Sequence, residues 1–193
     1  MVTLYQSQTL PINPPNSTPV LTLAQIWSVM DLKCRKPEIF VAPMSSSEVL
    51  IETPTFMKRS VVFKEGMGPP AGKVTEELQI RKPWKVRHAC PFFVILGEGG
   101  MGDEYKWLIV WVQVDFYNTD SGAFINNTIS QGKDETDLYL TFYFEWPYPD
   151  LKEGSKEAEE MSERLWGMAK KTVQHTIDYA RNMAREGKLE PQS

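Results

Sequence analysis

The spacing of apolar residues changes period twice along this chain. Residues Val2 to Ile12 read as extended, and Pro14-Pro15-Asn16-Ser17 then breaks the chain. From Thr22 the period is helical: Leu23, Ile26, Trp27, Met30 and Cys34, with Leu32 on the flank, recur at i+3/i+4 spacing. Thr22 is a good N-cap, and Gln25 three residues on completes a capping box. Pro37 ends or redirects this helix, and "PEIF" makes one further turn.

From Ser46 onward the period falls to two. It predicts strands over Val49 to Glu52, Phe56 to Glu65, Lys73 to Lys82, Trp84 to Phe93, Ala123 to Ser130 and Leu138 to Trp146. From about Ser155 to Gly187 the period is helical again. Ala158, Met161, Leu165, Ala169, Thr172, Val173, Thr176, Ile177, Ala180 and Met183 form one stripe. At ~1.5 Å per residue such a helix reaches about 45 Å. Gly167 inside it marks a weak point or a place of close packing. Strands followed by one long helix indicate an α+β fold, with 1–193 as a single domain. A curved antiparallel sheet around such a helix offers a concave apolar site for a small ligand.

"LGEGGMG" spells G-x-G-x-x-G with Gly97, Gly99 and Gly102, as a dinucleotide-binding loop does. That loop must open a helix, whose N-terminus holds the pyrophosphate. Here Trp107 to Tyr117 follows, aromatic and β-branched, which favours strand. The glycines therefore read as a turn between strands, and no cofactor is implied.

Composition removes further classes. The net charge of −4 and pI near 5.3 speak against nucleic acid, which needs a concentrated basic surface. Two distant cysteines, Cys34 and Cys90, need no disulfide framework, so a reducing, cytoplasmic setting is expected. The start "MVTLYQSQTLPINPP" has neither a basic beginning nor a long apolar core, so no secretory signal is read. The longest apolar run, Trp107 to Val114, is strand length and carries Gln113, so no membrane span is expected. Two histidines and two cysteines, dispersed, suggest no metal set.

"LTLAQIWSVMDLKCRKPEIFV" (Leu21 to Val41), "KVTEELQIRKPWKVRH" (Lys73 to His88), "GAFINNTIS" (Gly122 to Ser130) and "DLYLTFYFEW" (Asp137 to Trp146) resemble the AtaL-like family. That family belongs to the START-like, birch-pollen-allergen-like (SRPBCC) superfamily. The resemblance runs over most of the chain and contains no catalytic signature. It implies a helix-grip fold: a curved antiparallel sheet around a long C-terminal helix, with two short helices after the first strand. Members occur near fungal secondary-metabolite genes and in bacteria. The superfamily holds lipid carriers, hormone receptors, aromatase/cyclases and chaperone activators, so fold does not decide function. One departure stands out. In the family pattern the strand "KVRHA" leads directly to "SGAFINNTIS"; here about twenty to thirty residues intervene. Residues 91–121 thus read as an inserted or extended hairpin. It would serve as a longer sheet edge, as a flap over the cavity mouth, or through Phe92, Phe93, Trp107 and Trp111 as a homodimer contact.

Strand parity gives an interior set, since alternate residues share a face. Met57, Arg59, Val61 and Phe63 share one face; so do Val74, Glu76, Leu78 and Ile80; so do Trp84, Val86, His88 and Cys90; so do Leu140, Phe142, Phe144 and Trp146. If the apolar sets face the helix, then Arg59, Glu76 and His88 point inward with them. A charge there must be paired or shift its pKa. Arg59 and Glu76 could form a structural pair or work on a substrate. His88 could be a general acid or base, or a hydrogen-bonded core residue. Trp27, Met57, Val61, Leu78, Trp84, Val86, Phe142, Phe144, Met168 and Thr172 are the expected ligand-lining residues. His175 falls on the flank of the helical stripe as a boundary residue.

Three functions are compatible with this reading. The first is a cofactor-free cyclase, isomerase or dehydratase enclosing a small hydrophobic or aromatic metabolite. The second is a carrier of such a metabolite. The third, weaker, is a protein-interaction module like the chaperone activators.

Overall fold

The structure, a computed structural model, describes residues 1–65, 72–81 and 112–189. Its elements run β1 (Val2–Pro11), α1 (Leu23–Arg35), a 3₁₀ turn (Pro37–Ile39), β2 (Met44–Glu52), β3 (Phe56–Phe63), β4 (Lys73–Arg81), β5 (Val112–Asn118), β6 (Phe124–Gln131), β7 (Leu138–Tyr148) and α2 (Lys156–Arg185). The strands form one antiparallel sheet in the order β1-β7-β6-β5-β4-β3-β2. The first strand pairs with the last, and α2 lies across β1 and β7 and against α1. This is the α+β helix-grip architecture: a curved sheet, a long C-terminal helix and a short helix after the first strand. Only one of the two early helices is α-helical; "PEI" makes a single 3₁₀ turn.

Local chemistry sets the ends of both helices. Thr22 Oγ1 accepts from the Gln25 N–H at 3.2 Å, while Gln25 Oε1 accepts from the Thr22 N–H at 3.0 Å, which completes the capping box. Ser155 caps α2 by accepting from the Ala158 N–H at 3.3 Å. Glu157 and Glu159 in the first turn complement the helix dipole. Past the last turn Gly187 takes φ 66°, the left-handed conformation in which glycine most readily ends a helix. At Gly167 the choice left by the sequence is settled: a Cβ there would meet nothing within 4 Å, so no close packing calls for glycine.

The concave face divides in two. Under α2 the core joins Ala169, Val173, Ile177 and Ala180 to Leu140, Phe142 and Phe144 of β7, Ile129 of β6, and Ile26, Val29 and Met30 of α1. Beyond it, Met57, Leu78, Ile80, Val114 and Phe116 of β3, β4 and β5 pack with Cys34 of α1. Among the described residues this second cluster holds no α2 side chain. Trp27 touches both clusters and joins them.

Arg81 on β4 pairs with Gln113 on β5. Of the 91–121 segment, residues 112–118 are therefore a strand of the main sheet. The strand expected over Trp84 to Phe93 and the glycine turn at Gly97 to Gly102 lie outside the described residues. Among the described helices none is long and apolar enough to cross a membrane.

Candidate functional site

Cross-strand register lays the concave face out in rows. One row runs Gln8, Phe142, Asn127, Val114 and Ile80 across β1, β7, β6, β5 and β4. The next runs Gln6, Phe144, Ile125, Phe116, Leu78 and Met57 across six strands. A third brings Arg59, Glu76 and Asn118 together on β3, β4 and β5. An apolar, aromatic floor is thus interrupted by polar residues at a few fixed positions.

Arg59 and Glu76 meet as parity predicts. Arg59 Nε donates to Glu76 Oε2 at 2.8 Å and its Nη2 lies 2.6 Å from the same oxygen. Both side chains are buried, 3% and 6% exposed. Arg59 Nη1 donates to the Lys33 carbonyl at 2.9 Å and also to the Cys34 carbonyl. Those carbonyls belong to the last turn of α1, where helix geometry leaves acceptors without partners. The guanidinium also stands over the Phe116 ring, 5.2 Å from its centroid. Arg59 therefore ties the end of α1 to the sheet, with Glu76 supplying the counter-charge. Among the described residues no hydrogen bond reaches Glu76 Oε1.

The lining residues separate into groups. Met57, Leu78, Phe142 and Phe144 are buried on the concave face, and Trp27 is half-buried above it. Val61 is buried further along β3, with Met44 and Val74. Met168 is 40% exposed, beside the buried stripe of α2. Thr172 is half-buried, and its hydroxyl donates to the Met168 carbonyl at 2.9 Å within the helix. His88, Trp84 and Val86 lie outside the described residues. His175 is exposed at a boundary, its Nε2 3.2 Å from the Ile39 carbonyl and its ring edge-on to Phe40.

Several polar side chains on this face escaped the sequence reading. Gln6, Gln8 and Asn127 are all buried. Gln6 Nε2 donates to Ser162 Oγ of α2 at 3.0 Å. Among the described residues, Gln6 Oε1, Gln8 Nε2, Asn127 Oδ1 and the indole N–H of Trp146 are buried without a hydrogen-bond partner. All four belong to the concave parity of their strands, since Trp146 alternates with Phe144 and Phe142 and stacks on Phe144. Proteins leave few such atoms unpaired, and these four share one face. The signal was available: Gln6 and Gln8 alternate along β1 in the parity set of Leu4 and Leu10.

Lys33 is the other addition. It sits on α1 three residues after Met30 and seven after Ile26, on the apolar stripe itself. It is 6% exposed, and its Nζ stands 3.7 Å from the centroid of the Phe142 ring. Among the described residues no carboxylate pairs with it. Burial, helped by the nearby Arg59 guanidinium, brings its ammonium down to about 7, while Cys34 and Glu76 pull the other way. The neighbouring Cys34 thiol is pushed up to about 12 by burial, so it stays protonated.

The family model described as AtaL, acetylaranotin biosynthesis cluster protein L, matches residues 6–187. No curated protein matches this sequence. Among solved structures, the Zhui aromatase/cyclase from Streptomyces sp. R1128 superposes with a TM-score of 0.58 at 11% identity, over 96% of this chain and 98% of that one. Norcoclaurine synthase from Thalictrum flavum superposes at 0.48 with 12% identity, over 96% of this chain and 88% of that one. At such identities the likeness to the aromatase/cyclase is one of fold.

Proposed function

The chain belongs to the AtaL family, and from that membership we propose that it binds a small hydrophobic or aromatic metabolite on the concave face of its sheet. It acts on this metabolite, without a cofactor, as a cyclase, isomerase or dehydratase of secondary metabolism. The observation that carries the reading is the set of buried polar atoms without partners on an aromatic face: Gln6 Oε1, Gln8 Nε2, Asn127 Oδ1 and Trp146 Nε1. A ligand with both donors and acceptors satisfies them. Glu76, through Oε1, and His88 are the acid–base groups, and Arg59 fixes the carboxylate. Such groups contribute about 10²–10⁴-fold when correctly placed. A fold shared with an aromatase/cyclase supports the choice of chemistry.

A carrier is the second reading, favoured by the Arg59–Glu76 pair, whose contacts are spent on each other and on α1. Native mass spectrometry of the protein taken gently from its host identifies a bound molecule and its class. With that molecule or its precursor in hand, Glu76→Gln and His88→Gln separate the readings. The enzyme reading expects binding retained and turnover reduced by about 10²-fold or more. Unchanged product formation in both variants removes these residues from the site. A ligand released unaltered by every variant and by the parent protein establishes the carrier.

A further inference from the structure

Strand β1 is an edge of the sheet, and α2 runs beside it. Between them lies an open groove of about 450 Å³, lined by Gln6, Glu159, Ser162, Glu163 and Trp166. That is room enough for a small molecule. The four helix residues stand at i, i+3, i+4 and i+7, so one face of α2 presents them together. This face lies beside the stripe of Ala158, Leu165 and Ala169 that α2 buries in the fold.

The lining has one chemical sense. Glu159 and Glu163 are exposed carboxylates, and among the described residues neither forms an ion pair, whereas Glu160 between them is held by Lys156 at 3.2 Å. Like charges four residues apart on a helix repel each other. Trp166 is 54% exposed, although indoles are mostly covered in folded chains, and the face of its ring is electron-rich. Gln6 is 5% exposed at the floor of the groove. Its Nε2 donates to Ser162 Oγ at 3.0 Å and to the Ser162 carbonyl at 3.3 Å, which leaves Oε1 as the unpartnered end of the amide among the described residues. Two carboxylates, an indole face and an amide oxygen all attract positive charge. A metal ion is poorly served, since among the described residues no group of three acidic, histidine or cysteine side chains gathers here or elsewhere.

We propose that this groove binds the ammonium group of a small organic amine. The inference rests on the binding reading above, because the two share Gln6, and it names the charged group that the ligand carries. The ammonium sits on the face of Trp166 and beside Glu159 and Glu163, where cation–π attraction and charge-assisted hydrogen bonds act together. One of its N–H groups donates to Gln6 Oε1. The organic part of the amine lies along the groove between β1 and α2. Both carboxylates face water, so the attraction is modest and is screened by salt.

The test is a titration of the whole protein at pH 7 and low salt, following the indole N–H signal of Trp166 by NMR. The probe is benzylammonium chloride. Benzyl alcohol, with the ring but no charge, and benzyltrimethylammonium, with the charge but no N–H, are titrated in parallel. The expected result is a saturable shift of Trp166 by benzylammonium, with the alcohol about ten-fold weaker and benzyltrimethylammonium in between. Glu159→Gln combined with Glu163→Gln, checked as folded by circular dichroism, weakens benzylammonium about ten-fold and leaves the alcohol unchanged. Equal binding of benzylammonium and the alcohol, or benzylammonium binding that the double variant keeps, overturns the ammonium site and leaves the binding reading standing. Benzyltrimethylammonium as tight as benzylammonium overturns the hydrogen bond to Gln6. No shift of Trp166 by any probe overturns the groove as a site, and the binding reading is then decided by native mass spectrometry. A bound molecule found there without a basic nitrogen upholds that reading and overturns the ammonium.

Discussion

The two halves of the concave face are equally buried but closed by different means. Under α2, Phe142, Leu140 and Val173 exclude water by packing. Under the end of α1, Arg59 is as buried as those side chains and closes the face by charge, between Glu76 and two helix carbonyls. An apolar wall loses its contribution in proportion to the area removed. An ionic closure fails as a unit, because the partner left behind is a buried charge.

Double substitution separates the two most strongly. Glu76→Ala and Phe142→Ala are each expected to destabilise by about 3–5 kcal/mol in urea titrations. Replacing both members of the pair, Arg59→Met with Glu76→Leu, recovers most of the loss at Glu76, since no orphan charge remains. What stays lost is the tie to the α1 carbonyls. A double variant no more stable than Glu76→Ala alone would mean that packing, not charge, closes that half.

Lys33 lies on the border between the halves and is next in size. Lys33→Met is expected to stabilise the fold on the order of 1–4 kcal/mol at pH 6, by removing a buried ammonium. The ammonium is held down to about 7 in the fold against an ordinary 10.5. Above pH 7 the unfolded chain therefore binds the extra proton, and the parent protein gains stability with rising pH. The advantage of the variant is full below pH 7 and shrinks toward pH 9. The Cys34 thiol, raised by burial, works the other way only above its ordinary 9.0. Parallel chemical denaturation at pH 6, 7.5 and 9 reads the trend, and a constant difference would place an unshifted ammonium there.

Two smaller effects test the helices that cover each half. Thr22→Ala removes one arm of the capping box of α1 and is expected to cost about 1 kcal/mol. Gly167→Ala acts in the opposite direction on α2, with a gain of up to about 1 kcal/mol, because the added Cβ meets open space. Thermal unfolding of the two variants should shift in opposite senses.

The architecture was readable where a period is long and one-sided. The stripe on α2, the Thr22 cap and the alternation of β3, β4 and β7 all correspond to structure, with ends displaced by a few residues. Arg59 opposite Glu76 was also readable, because parity and a single hairpin fix that register. Lys33 was missed because a pattern of apolar positions leaves out a charged residue, although it lies on the stripe of Ile26 and Met30. Gln8 and Asn127 were missed for another reason. Their significance comes from lying on either side of Phe142, and β1 reaches β7 only through a pairing across most of the chain. No local pattern encodes that meeting.

The rung between Arg81 and Gln113 has an evolutionary meaning. The residues on either side of the intervening stretch are held one strand spacing apart by the sheet itself. Closing a chain between two points so held costs entropy that grows only as the logarithm of its length. Insertion between two ends so held is therefore cheap in closure entropy.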